Sequence, residues 1–110
     1  MTWVKIDDTV TEHPKCVGMS PNAWTLWLHG LAYSSRNLTD GHIPAVMLSR
    51  LSGVPQPKKV AAELVVAGLW HDSADGYEIH DYCEHQRTKA DIEAERAAAR
   101  ARRNNGRNSR

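Results

Sequence analysis

Apolar residues along the chain recur first in alternation and then at helical spacing. Trp3, Lys5 and Asp7 fall on one side of "TWVKID" and Val4 and Ile6 on the other, which predicts a short N-terminal strand. "TEHPKCVGM" predicts one or two helical turns opened near Pro14 and stopped near Gly18. Ser20 as N-cap and Pro21 as first residue predict a helix from about Pro21 to Ser34. Within it Trp24, Trp27, Leu28 and Leu31 make a core-facing stripe, widened by Ala23 and Leu26. "NLTDGHIP" is turn chemistry, and Pro44 opens a helix to about Leu51 with Val46, Met47 and Leu51 inward. After the proline-rich break "GVPQPKK", a helix from Gln56 or Pro57 to Ala67 carries Val60, Ala61, Leu64 and Val65 on one face. Gly68 stops it. Two strands, 69–71 and 77–80, follow at once and are joined by "DSADG".

From Thr88 the pattern changes. "TKADIEAERAAARARR" predicts a helix capped by Thr88 with Asp91 three residues on, containing Ile92 as its one large apolar residue. It is expected to project into solvent and to fray into "NNGRNSR".

Two helices joined by "LSGVPQP" and followed by a hairpin build an α+β winged helix-turn-helix, here over residues 1–87, with the basic helix and tail at 88–110. In such a fold the second helix of the pair lies in a DNA major groove and the hairpin flanks it. Gln56, Lys58, Lys59 and Glu63 are expected on the exposed side of that helix. The wing tip, Asp72, Ser73, Asp75 and Gly76, is acidic and ill suited to phosphate.

Charge sharpens this picture. The net charge of +1 over 110 residues conceals eight basic against thirteen acidic residues in 1–95, a balance of −5, and six arginines with no acid in 96–110. A basic arm on a mildly acidic body seeks a polyanion. The expected DNA-binding set is Gln56, Lys58, Lys59, Arg87, Lys89, Arg96, Arg100, Arg102, Arg103 and Arg107. The rival reading of the same charge is a solvated, frayed terminus.

The phrases "WVKIDDT", "NLTDGHIP", "AAELVVAGLW", "GYEIHDY" and "AERAAAR" resemble small actinobacterial and actinophage helix-turn-helix proteins of the replisome-organiser-like kind. More distantly the chain is similar to the N-terminal winged-helix domain of phage replication-initiation proteins. The resemblance runs from Trp3 to about Arg100 and implies a winged-helix fold and a role on nucleic acid or in the replisome. It brings no catalytic residue. Cys16 and Cys83 stand where relatives carry aliphatic residues, and larger relatives continue past the basic helix, which favours a stand-alone regulator or a small phage protein engaging a host factor.

Chemistry-bearing motifs are sparse. His13-x-x-Cys16 with Cys83-x-His85 is a candidate tetrahedral zinc set, although its spacings depart from the usual pairs. Buried core cysteines are the simpler reading, so no metal and no cofactor is expected. No phosphate loop, nucleophile elbow or His-Glu-x-x-His motif points to an enzyme. His71 and His80 are expected at the hairpin surface, and all four tryptophans in the core rather than stacked on bases, Trp3 and Trp70 between strand and wing. Two cysteines, no signal-like leader and no long apolar run predict a cytoplasmic, reduced protein. The expected function is double-stranded DNA binding in phage replication initiation or transcriptional control. The expected partners are duplex DNA, a host or replisome protein, and a second copy of the chain. The alternative is a protein-interaction module that docks on a host or replisome factor without touching DNA.

Overall fold

In the computed structural model, which describes residues 3–108, helix α1 spans Pro21–Asn37. Ser20 caps it by accepting a hydrogen bond from the Ala23 amide, and Leu38 ends it in the left-handed conformation. Strand β1 (His42–Pro44) leads through a 3-10 turn, Ala45–Met47, into the short α2 (Leu48–Leu51). Helix α3 (Pro57–Val66) follows, then the hairpin strands β2 (Trp70–Ser73) and β3 (Gly76–Ile79). A single turn, α4 (Tyr82–His85), precedes the long α5 (Lys89–Asn108).

The architecture is mixed α+β, with a three-stranded antiparallel sheet in the order β1-β3-β2. Register pairs Ile43 with Tyr77 and Trp70 with Ile79, so these four side chains share the inward face, while His42, Glu78 and His71 alternate onto the outer one. Trp70 is fully buried and lies 5.5 Å from Tyr77, ring centre to ring centre. Helices α1 and α3 pack across this face, burying Ala23, Leu26 and Leu31 from one and Val60, Ala61 and Leu64 from the other.

Gly30 makes the contact of α1 with the sheet work. A Cβ there would stand 2.7 Å from Trp70 Cζ2 and 2.8 Å from Ile43 Cδ1. The helix gives up about 1 kcal/mol of propensity to let the indole in.

Several expectations are corrected. Residues 3–7 form no strand: the arm has no regular secondary structure and is held by the Gln86 side chain, which accepts from the Lys5 amide (2.8 Å) and donates to the Lys5 carbonyl (2.6 Å). The third strand comes instead from His42–Pro44 inside the supposed turn. "TEHPKCVGM" begins inside a 3-10 turn, Val10–Glu12, and continues as irregular turns rather than a helix. The inward face of α1 turns away from Leu28, which is exposed, toward Gly30 and Ser34. Val46 is 79% exposed, and Leu48 takes the inward position assigned to it. Trp3 is exposed, and Trp24 and Trp27 are half-buried, stacked edge to face at 5.6 Å. The tail predicted to fray is helical through Asn108; residues 109–110 lie outside the described residues.

Helix α5 gives the molecule its length. A twenty-residue helix is about 30 Å long, and the extents are 59 × 31 × 22 Å. The radius of gyration is 16.9 Å, against about 13 Å for a compact domain of this size.

Candidate nucleic-acid interface

The turn between α2 and α3 is built by backbone conformations that few residues favour. Gly53 (φ 68°) and Gln56 (φ 50°) are both left-handed, and Pro57 then starts α3 with its φ already helical. The Gln56 carbonyl accepts from the Lys59 and Val60 amides, closing the first turn. Because α3 buries Val60, Ala61 and Leu64, the opposite side carries Lys58, Lys59, Ala62 and Val66, all exposed; Val66 is 88% exposed. Gln56 is exposed at the entrance to this face. The surface is therefore two ammonium groups near the helix N-terminus and a short apolar edge along its length. That is a shape and polarity a groove with phosphate walls can accept.

Glu63 does not belong to that surface. It is half-buried, and its two oxygens accept from the Ser20 amide (2.7 Å) and the Ser20 hydroxyl (2.8 Å), tying the start of α1 to α3. Charge alone gave no hint of this, because the partner is 43 residues away.

The hairpin tip is a two-residue turn, Ala74-Asp75. Asp75 reaches back to His42 Nε2 (3.2 Å), while His42 Nδ1 meets Glu78 Oε1 at 2.7 Å. Hydrogen bonding to Glu78, and then the Asp75 charge, hold the His42 imidazole above its ordinary pKa of 6.5 against some desolvation. With Asp72 exposed beside it, the β2–β3 hairpin offers no basic side chain at its tip.

Helix α5 is anchored at its base only. Thr88 and Asp91 cap it reciprocally: the Thr88 amide donates to Asp91 Oδ2 (3.0 Å) and the Asp91 amide to Thr88 Oγ1 (3.2 Å). These bonds hold the Asp91 carboxyl below its ordinary pKa. The Lys89 amide donates to Asp40 Oδ1 (2.7 Å), and Ile92 is buried. Among the described residues no other element packs extensively along α5 beyond that point.

Arg96, Arg100 and Arg103 succeed one another by four and three residues and so form one exposed row; position 107 continues its helical register. Arg102 is exposed off this row. The acids Asp91, Glu93 and Glu95 gather near the helix N-terminus and the arginines follow, an order that suits the helix dipole.

Two of the residues expected to contact DNA also take part in holding the base of α5. Arg87 forms an ion pair with Glu95 across the α4–α5 joint, and only about a quarter of its side chain is exposed, so it braces the helix base. The Lys89 main chain serves the Asp40 cap, leaving its exposed side chain at the root of the arginine row.

The zinc set is not assembled. Cys16 is buried in the core with its thiol raised by burial, while Cys83 is exposed with Sγ 4.0 Å from the Asp40 carbonyl oxygen. Among the described residues His13, Cys16, Cys83 and His85 do not converge within metal-binding range. The residues that do converge are Asp81, Glu84 and His85, whose i, i+3, i+4 spacing was present in the sequence but spans barely one turn. Among the described residues no helix is long and apolar enough to cross a membrane. Comparison with protein-family models, with curated proteins and with solved structures finds no match to this chain.

Proposed function

We propose that the chain is a winged helix-turn-helix protein that binds double-stranded DNA, in phage replication initiation or transcriptional control. Helix α3 enters the major groove through Lys58, Lys59 and the Ala62–Val66 edge, and the arginines of α5 hold backbone phosphates. The element order α1, β1, α2, α3, β2, β3 with sheet order β1-β3-β2 supports the fold reading. The observation that carries the functional reading is the outward face of α3, basic at its start, exposed along its length and not covered by α5. Phosphate contacts of this kind supply affinity without sequence choice, and selectivity falls to the few side chains that reach base edges.

One observation favours a protein partner instead: the body carries −5, and its wing tip presents Asp72 and Asp75. Anisotropy titration of a labelled random-sequence duplex separates the two readings. Lys58→Ala with Lys59→Ala weakens duplex binding if α3 faces the groove. Undiminished affinity in the double variant rejects that placement, and no binding at low salt favours the protein partner.

A further inference from the structure

We propose that Asp81, Glu84 and His85 form a binding site for a first-row divalent transition metal ion of the Zn²⁺ class. One turn of helix brings the three together. Asp81 precedes α4 in the left-handed conformation (φ 54°), and Glu84 and His85 follow three and four residues later on the same side. One ligand atom from each lies within 4.8 Å of the others, and all three side chains are exposed to solvent ions.

Two carboxylate oxygens and one imidazole nitrogen favour zinc and its neighbours over magnesium or calcium, which prefer all-oxygen shells. Three protein ligands on one face leave the remaining positions to water or an added anion. A cavity of about 590 Å³ opens beside them, lined by Asp81, His85 and the arm residue Asp7, with room for such groups.

A second feature marks this cluster off from a chance gathering of acids. His80 Nε2 is 3.0 Å from Asp81 Oδ2, and His80 Nδ1 is 2.7 Å from His71 Nε2. When His80 donates from Nε2 to the carboxylate, its Nδ1 accepts from His71 Nε2–H, so both rings take one tautomer each. The relay runs from β2 through the residue after β3 into the ligating carboxylate. Hydrogen bonds of this outer kind orient ligands and commonly govern affinity 10- to 100-fold.

The test is calorimetric titration of chelator-stripped full-length chain with Zn²⁺, repeated with Co²⁺ to read its absorption spectrum. One ion per chain is expected, with a Co²⁺ spectrum lacking a thiolate charge-transfer band. His85→Ala and the near-isosteric Glu84→Gln each lower affinity at least about tenfold, and His80→Ala about 10- to 100-fold. His13→Ala and Cys83→Ser leave it unchanged. Circular dichroism confirms that the variants are folded. Absence of Zn²⁺ binding, binding indifferent to both His85→Ala and Glu84→Gln, or loss of binding in Cys83→Ser would overturn the assignment.

Discussion

Replacing Gly76 by alanine puts a methyl group where β1 already lies. Gly76 pairs with Pro44 across the β1–β3 ladder. An added Cβ would overlap the Ile43 carbonyl oxygen and stand 2.7 Å from the Ala45 amide nitrogen and 2.9 Å from Pro44 Cα. All three are main-chain atoms, so no rotamer change relieves the clash. To restore 3.4 Å from the amide nitrogen alone, β1 must retreat by at least 0.7 Å.

That retreat stretches the Ala45 N–H···O Asp75 bond from 2.9 Å to about 3.6 Å, outside hydrogen-bond range. The Ile79 N–H···O Gly41 bond, also 2.9 Å, lies on the same strand boundary. Each such bond is worth about 0.5–1.5 kcal/mol, and more when a buried group is left unpaired. Displacing fully buried Ile43 from Trp70 and Gly30 adds a packing loss.

The expected total is about 3 kcal/mol, a large share of a typical domain's stability and roughly 15 °C in Tm. Urea unfolding followed by tryptophan fluorescence measures it. Gly106→Ala is the control, since a Cβ there meets nothing within 4 Å and Gly106 lies far along α5 from the buried Ile92. It should raise helicity with little change in the main transition. A Gly76→Ala variant within 1 kcal/mol of the parent would refute the close approach of β1 and with it the three-stranded sheet.

Removing the Glu63 carboxylate, as Glu63→Ala, should destabilise the body by about 1.5–3 kcal/mol through loss of two charge-assisted bonds to Ser20, seen as a lower urea midpoint. The His42 imidazole, held up by Glu78 and Asp75, contributes stability that is fully present below about pH 6.5 and is lost as pH rises through its raised folded value. The parent should therefore melt higher at pH 6 than at pH 8, and His42→Gln should flatten the difference; an unshifted imidazole titration by NMR would contradict this. The Cys83 thiol is exposed but raised by partial burial and by Asp40, Glu78 and Asp91, so it should react slowly with a disulfide reagent at neutral pH while Cys16 stays protected until unfolding.

Elements with strong local chemistry could be read from the chain alone. Ser20-Pro21 marked the start of α1, Pro57 and Gly68 bracketed α3, and Thr88 with Asp91 predicted the cap of α5 that the structure contains. What escaped the reading depended on distant partners or on small residues. The inward face of α1 was set from its large side chains, yet Gly30 and Ser34 are buried there because Trp70 presses on one and the Gly41 amide bonds the other at 2.6 Å. β1 is three residues long, too short to show alternation, whereas the alternating arm at 3–7 has no place in the sheet. Arginine and glutamate counts could not reveal that Arg87 belongs to Glu95 or Glu63 to Ser20. The exposed lysines of α3 and the arginine row of α5 were legible, because periodicity alone places them.

Salt dependence of duplex affinity tests the central claim most directly. The six arginines of residues 96–110 would steepen the slope of log K against log salt by up to about 5 if all meet phosphate. The full chain should bind random duplex tightly at about 50 mM salt and lose orders of magnitude by about 200 mM. A chain lacking residues 96–110 should bind more weakly with a much shallower slope. Equal slopes for the two chains, or no duplex binding by the full chain at low salt, would contradict the DNA-binding account.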